Sequence, residues 1–212
     1  MAGLAQQSML PFPIGGTFWG GQTPPDATTG VEWEGKEFLV EDLDYSNTAG
    51  AAINVRAYGN QIPYKTVRVV RNVSGITLLP RRLVSFKSTV YGRHVDGYTS
   101  TTAGEGFPVD EFLVSTGVVN NDLFYIVVEG CAECFTSAAA SAEDVFSAGS
   151  ILVALTAAAS TFSTTAGRIT PQDLTGATAL LANQVQNRIG VALSASTTAN
   201  SNTAKLVHIK KW

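Results

Sequence analysis

The stretch DLFYIVVEGCAECFT, Asp122 to Thr136, decides the reading of this chain. Its side chains alternate along a strand: Phe124, Ile126, Val128, Ala132 and Cys134 fall on one face, and Glu129 and Glu133 fall on the other. No other segment carries so clear a two-residue period. Working outward, Val31–Val40 alternates in part, with Val31, Trp33, Phe38 and Val40 inward. Ala52–Tyr58 sets Ile53, Val55 and Ala57 against Asn54 and Arg56, and Thr66–Val73 sets Val67, Val69 and Arg71 against Arg68 and Val70. Leu83–Phe86, Phe112–Ser115, Ser150–Leu155, Arg188–Leu193 and Lys205–Ile209 are further strand candidates. Short strands separated by clusters of Gly, Pro, Asn and Ser predict a barrel or a sandwich.

Helix signals are few. Thr170-Pro171-Gln172-Asp173 has the form of an N-cap, a proline at the first helical position and an acid in the first turn. Leu174, Ala177 and Leu181 would then form an apolar stripe, and Ser141–Phe146 predicts a second short helical turn. The Ser/Thr/Ala-rich runs Ala157–Gly167 and Ser194–Thr203 read as loops. Residues 1–30 read as an extended arm, because four prolines, and five glycines between Gly15 and Gly30, exclude a regular helix. That arm nevertheless carries Leu10, Phe12, Ile14, Phe18 and Trp19, which a solvated tail gains nothing by exposing. It must therefore lie along a surface, either a partner's or that of its own domain.

Composition agrees with a β-rich body. Of 212 residues only 15% are charged, against 45% apolar, and Ser, Thr, Ala, Gly and Asn take the place of the missing charge. The opening MAGLAQQSMLPFPIGG has neither a charged leader region nor a long apolar run, which predicts no secretory signal. No run of eighteen apolar residues occurs, so no membrane span is expected. The net charge of −3 hides a segregated pattern. From Ser46 to Val95 there is no acid, yet Arg56, Lys65, Arg68, Arg71, Arg81, Arg82, Lys87 and Arg93 all lie there. Acids dominate on both sides, from Glu32 to Asp44 and from Asp96 to Asp173. Two readings follow: neighbouring strands pair these charges within one molecule, or they meet across subunits and steer assembly. An acidic chain without a recognised nucleic-acid motif is not expected to bind nucleic acid specifically.

Catalytic motifs find no support. Cys131 and Cys134 form a C-x-x-C, but within a strand their odd separation points the sulfurs to opposite faces, and a redox pair needs a helix N-terminus. Zinc would require two more ligands, and His94 and His208 are the only histidines. His94 and Asp96 lack a nucleophile on a strained elbow. Glu32/Glu34 and Asp110/Glu111 are carboxylate pairs without a placed partner. The glycine clusters match no phosphate-binding loop, and Asn72-Val73-Ser74 has the glycosylation pattern without the leader that would make it meaningful. The chain reads as a non-enzyme with no cofactor and no metal.

The C-terminal part carries a resemblance. Arg188-Ile189-Gly190-Val191-Ala192-Leu193, a small-residue loop and Leu206-Val207-His208-Ile209 resemble the ending of tailed-bacteriophage head decoration (capsid cement) proteins. Asp122–Gly130 is similar to that family's long central strand running into a glycine, Ser147–Leu152 to its step into the next strand, and Asn72–Val84 to its opening region. The resemblance covers Val67 to Trp212. The long N-terminal segment and the stretch from Thr156 to Asn187 depart from the pattern.

The resemblance implies a mainly β fold, a β-barrel or β-tulip-like body at 66–212, preceded by a strand-containing segment at 31–65 and the arm at 1–30, with one or two short helices. It further implies a homo-oligomer, a trimer rather than a dimer, on the outer surface of a virion capsid. There it would bridge copies of the major capsid protein and stabilise the head against internal DNA pressure. Phe12, Phe18 and Trp19 are then the expected arm anchors, and Arg81 and Arg82 the expected charged contacts. Rival readings are a head-fibre base, a tail or baseplate β-domain, or a carbohydrate-binding module using Trp33, Tyr58, Tyr64, Tyr91 and Tyr98.

Overall fold

The structure is a computed structural model that describes residues 10–19, 32–42, 64–99, 106–136, 145–154, 167–172, 188–196 and 203–210. Its described strands are β1 (Phe18–Trp19), β2 (Glu37–Glu41), β3 (Tyr64–Asn72), β4 (Leu83–Phe86), β5 (His94–Tyr98), β6 (Phe107–Pro108), β7 (Asp122–Phe135), β8 (Ile151–Ala154), β9 (Ile169–Pro171), β10 (Arg188–Ala192) and β11 (Ala204–Ile209). The protein is mainly β. One sheet runs in the order β6-β4-β5-β3-β7-β11-β10-β8-β9, with β1 added to β7 and β2 to β3. Neighbours are antiparallel except β3 and β5, which run parallel.

The 14-residue β7 is the axis of this sheet. Its first half pairs with β3, from Arg71↔Leu123 to Thr66↔Glu129, and its second half with β11, from Ile209↔Gly130 to Ala204↔Phe135. The sheet returns to β7 twice. Beyond β6, Val109 bridges Ile126, a residue whose other side already pairs with Arg68, and the Asp110 N–H donates to the Tyr125 carbonyl at 3.0 Å. That contact closes a ring of β7, β3, β5, β4 and β6. At the other end Ile169 of β9 bridges Thr136, closing a second ring of β7, β11, β10 and β8 with β9. The expected barrel-like body thus takes the form of two small rings sharing one strand.

Sharing requires a phase change. The expectation that Phe124, Ile126, Val128, Ala132 and Cys134 lie on one face is corrected here. Phe124, Ile126 and Val128 pack in the core of the first ring with Val70, Leu78, Val84, Val95, Val109, Leu113 and Val118. Ala132 and Cys134 instead share a second core with Leu123, Tyr125 and Val127, and with Leu152, Ile169, Ile189, Val207 and Ile209. Even-numbered residues thus face one core before Glu129 and the other core after it. A bulge makes the switch: pairing with β3 skips a residue between Val127 and Glu129, and Gly130 follows with φ of 103°. Glycine is required at 130, because a Cβ there would lie 2.6 Å from the Lys65 Cβ and would strain the backbone at that φ.

Other expectations also change. Thr170 and Pro171 belong to strand β9, not to a helix N-terminus; Ile169–Pro171 pairs with Leu152–Ala154, and Pro171 sits at the last position of an outer strand, where its missing donor costs nothing. Residues 173–187, where the helix would continue, lie outside the described residues, as do 137–144 and the predicted strand at 52–58. Phe146 joins the second core and bridges Ser196. Phe112–Ser115 lies in turns, and the helical structure among the described residues is a single 3-10 turn at Ser88–Val90. No helix there is long and apolar enough to cross a membrane.

The boundary drawn at 66 falls inside β3, and residues 32–42 of the segment before it pack on the body. Val40 of β2 is fully buried in the second core, with Trp33 and Phe38 packed against it. The turn before β2 is locked by Glu34, whose buried carboxylate pairs with Arg71 of β3 and accepts from His94 of β5 at 3.2 Å. Arg93 approaches the same carboxylate at 3.4 Å. Burial lowers the His94 pKa from its ordinary 6.5; Glu34 opposes that shift, and the Arg71 and Arg93 charges reinforce it. The folded state therefore binds fewer protons at His94 than the unfolded chain does, so this residue's contribution is present above the unfolded value and is lost progressively as pH falls from there through the lower folded value.

Two outcomes are expected. Gly130→Ala should cost about 3 kcal/mol in urea unfolding, from the positive φ and the clash with Lys65. Lowering the pH from about 7 to about 5 should reduce the stability of the wild-type protein more than that of His94→Gln, read as the difference between their unfolding midpoints.

Candidate functional site

Charge pairing decides which surface is left for a partner. Lys65 meets Glu111 at 3.0 Å and Asp42 at 3.5 Å, Arg68 pairs with Glu37, Arg71 with Glu34, and Arg81 with Glu133 at 2.6 Å. Arg82 lies against the rings of Tyr98 and Phe135, 5.7 and 5.9 Å from their centres. Lys65, Arg68, Arg71, Arg81 and Arg93 of the basic segment thus pair with acids from the flanking segments of the same chain, in line with the intramolecular reading. Arg81 and Arg82, expected as contacts to a partner, are engaged within the fold.

The arm residues follow the same pattern. Phe12 is 7% exposed and sits in the second core; its ring stacks on Tyr125 with centres 4.4 Å apart, and the Tyr125 hydroxyl donates to the Phe12 carbonyl at 2.7 Å. Expected as an anchor in a capsid cleft or an adjacent subunit, Phe12 in this structure fills a cleft of its own chain. Phe18 is half-exposed, meets Trp33 edge-on at 5.2 Å, and sits in β1 against Leu123; the backbone of Trp19 pairs with Asp122. The Gly15 N–H donates to Asp110 Oδ2 at 2.7 Å. Over residues 10–19 the arm wraps its own domain.

The surface that remains is at one end of the first ring. Two loops, Asn72–Pro80 and Phe112–Asn121, contain no charged residue. They pair through Leu78↔Val118, with mutual backbone bonds of 2.9 and 2.7 Å that turn Leu78 and Val118 into the core. Alternation then turns Thr77, Leu79 and Val119 outward. Ile76, Leu79, Val114 and Val119 are 48%, 36%, 63% and 54% exposed, and these four side chains of the two charge-free loops make up the ledge. Isolated exposed aliphatics are ordinary, but four on two paired loops without charge have the composition of an interface centre.

The ledge is built to hold its shape. Asn72, fully buried, donates from Nδ2 to the carbonyls of Ile76 at 2.8 Å and Val118 at 3.0 Å, so one amide ties both loops. Its Oδ1 accepts from the Ser74 N–H and hydroxyl. The Gly75 N–H donates to Asn120 Oδ1, and the Leu79 N–H to the Tyr98 hydroxyl at 2.8 Å. Gly117 has φ of 75° and sits so close to the Leu78 carbonyl that a Cβ would overlap it. A surface fixed before contact loses little entropy on binding. Sequence reasoning passed over these loops because it ranked aromatics and arginines as anchors. The available signal was negative, two charge-free windows flanked by Arg71 and Arg81, and by Glu111 and Asp122.

Candidate chemistry is placed as follows. His94 faces Glu34, while Asp96 is exposed. Cys131 and Cys134 are buried free thiols, and burial raises the Cys134 pKa well above its ordinary value, the reverse of a reactive thiolate. Among the described residues no group of three or more His, Cys, Asp and Glu side chains is arranged to hold a metal ion. The aromatics proposed for glycan binding do not form one platform. Trp33 packs against the second core, Tyr98 is tied to Leu79 and Thr77, Tyr91 leans on Phe86 at 5.0 Å, Tyr64 opens β3, and Tyr58 lies outside the described residues. Tyr91 borders a shallow hollow of about 530 Å³ with Glu32, Lys36, Arg68 and Arg93.

These features define a β-protein with exposed aliphatic side chains on two uncharged loops and with several of its charges paired internally. No protein-family model matches the chain, and no curated protein matches it. Among solved structures, the head fiber gp8.5 N base in bacteriophage phi29 is similar with a TM-score of 0.38 and 11% identity, over 68% of this chain and 92% of that one. A likeness so distant carries no argument about this chain.

Asn72→Ala should destabilise the protein by about 2 kcal/mol, because it leaves the buried Val118 carbonyl without its side-chain donor. Amide exchange at residues 74–79 should accelerate, while exchange in β10 and β11 stays unchanged.

Proposed function

We propose that this chain is a structural protein of a bacteriophage virion, and that it attaches to the outside of the capsid and cements neighbouring major capsid protein subunits. The observation that carries the contact role is the ledge of Ile76, Leu79, Val114 and Val119, held rigid by Asn72 and free of charge. The virion assignment is supported by the decoration-protein resemblance of the sequence, whose closing segments are the adjacent antiparallel strands β10 and β11. Internally paired ions also favour this role, because a body that satisfies its own charges adheres through apolar contact and shape. Many copies, each held by one modest patch, sum through effective concentration on a repeating shell. Self-association into a trimer belongs to the same proposal.

The test is decoration of DNA-free heads by purified protein. Leu79→Asp combined with Val119→Asp places two charges at the centre of the contact and should reduce head binding at least tenfold. Both positions face outward, so the unfolding free energy should stay within about 0.5 kcal/mol of wild type. Undiminished binding by the double variant would remove the ledge from the interface. Binding at only a few sites per head would mark the base of a fibre in place of a cement.

A further inference from the structure

Lys65 is the unusual residue of this fold. A lysine in β3 is expected to reach solvent, yet its side chain is 1% exposed, in a pocket shared with Asp42 at 0% and Glu111 at 1%. Its Nζ lies 3.0 Å from Glu111 Oε1 and 3.5 Å from Asp42 Oδ1, with the Phe112 ring 4.9 Å away. Asp110, 2% exposed, contributes a third carboxyl to the same region. One ammonium against three buried carboxylates leaves a formal excess of two negative charges if all are ionised, and burial at this depth drives such a group to take up protons. Asp110 shows the effect: burial raises its pKa, against the lowering influence of Lys65 and of the Gly15 and Phe112 N–H donors.

We propose that Lys65 and Asp42 form an intramolecular isopeptide bond, with Glu111 as the proton carrier. A lysine excluded from water is a nucleophile once its proton has gone. Glu111 is positioned to take that proton, since Oε1 accepts from Nζ while Oε2 is anchored by the Glu133 N–H at 2.9 Å. Glu111 passes that proton to the Asp42 carboxylate, whose Oδ1 lies 3.5 Å from Nζ, and the neutral amine attacks Cγ of the resulting acid. The C–N bond forms and the C–OH bond breaks. Glu111 takes a second proton from the nitrogen and hands it to the departing hydroxyl, and water leaves, so that the three ammonium protons end as one on the amide and two on the water. No oxidant or cofactor enters the balance: an ammonium and a carboxylate become an amide and one water. The product replaces two buried charges with a neutral group, which favours completion in so apolar a setting.

The fold leaves room for this approach. Gly130, at the bulge of β7, leaves the space that the Lys65 backbone and Cβ occupy. Asp42 follows directly on β2 and Lys65 lies near the start of β3, so the bond would tie together two hydrogen-bonded strands and close the chain between residues 42 and 65.

The test is intact mass of the full-length folded protein after denaturation, with peptide mapping. The expected result is a mass one water below that of the sequence, and a branched peptide joining Lys65 to Asp42. Glu111→Gln, which keeps the side chain's shape, should return the full sequence mass while remaining folded by circular dichroism. Wild-type protein at full sequence mass after prolonged incubation overturns the proposal and leaves Lys65 an ion-paired core residue. A branch to a residue other than Asp42, or water loss that persists in Glu111→Gln, overturns the assigned acceptor or the assigned carrier. None of these outcomes depends on capsid binding.

Discussion

The one-residue slip in β7 between Val127 and Gly130 is the constraint on which the rest depends. A strand with a strict two-residue period can present only one face to one core. By admitting an extra residue and a positive φ at Gly130, β7 sends Leu123, Tyr125 and Val127 to the core that also holds Ala132 and Cys134, and Phe124, Ile126 and Val128 to the other. One strand can then close two rings. The same slip opens the space in which Lys65 is buried. Strand pairing, core division and the buried lysine are therefore three consequences of one backbone irregularity.

The second theme is how the charges are used. Arg71 and Glu34 tie the turn before β2 to β3, Lys65 with Asp42 and Glu111 ties the end of β2 to the turn before β7, and Arg81 with Glu133 ties the start of β4 to β7. The buried sets at Arg71 and Lys65 add little net stability, but breaking one leaves an uncompensated charge, so they fix which segments belong together, while Arg81 and Glu133, each 35% exposed, constrain the fold less. The loops at Asn72–Pro80 and Phe112–Asn121 contain no charged residue and expose aliphatic side chains. Under the proposed contact role, adhesion there would depend on shape and dewetting, and little on salt.

Much of the fold was legible in the sequence. The patterns at Asp122–Thr136, Thr66–Val73, Leu83–Phe86, Arg188–Leu193 and Lys205–Ile209 each mark a strand that the structure contains. The slip within the first of them was not legible, because the apolar residues on both sides of Glu129 satisfy one face or two equally well. Thr170-Pro171 carried a helix-start signal that a strand pairing with β8 overrode. Phe12 looked like a partner's anchor because its own cleft, beside Tyr125, is separated from it by more than a hundred residues of chain. The segregated charges left two readings open, and long-range pairing across strands chose between them. The ledge was hidden because an interface made of Ile, Leu and Val in short loops differs from ordinary sequence only by lacking charge.

The claim that this ledge is where the protein meets its shell can be measured directly by hydroxyl-radical footprinting of the free chain and of the chain on assembled heads. The account predicts that Ile76, Leu79, Val114 and Val119 are oxidised in the free protein and protected on heads, while Leu39 and Tyr91 react alike in both. Protection of Leu39 and Tyr91, with the four ledge residues still reactive, would contradict it.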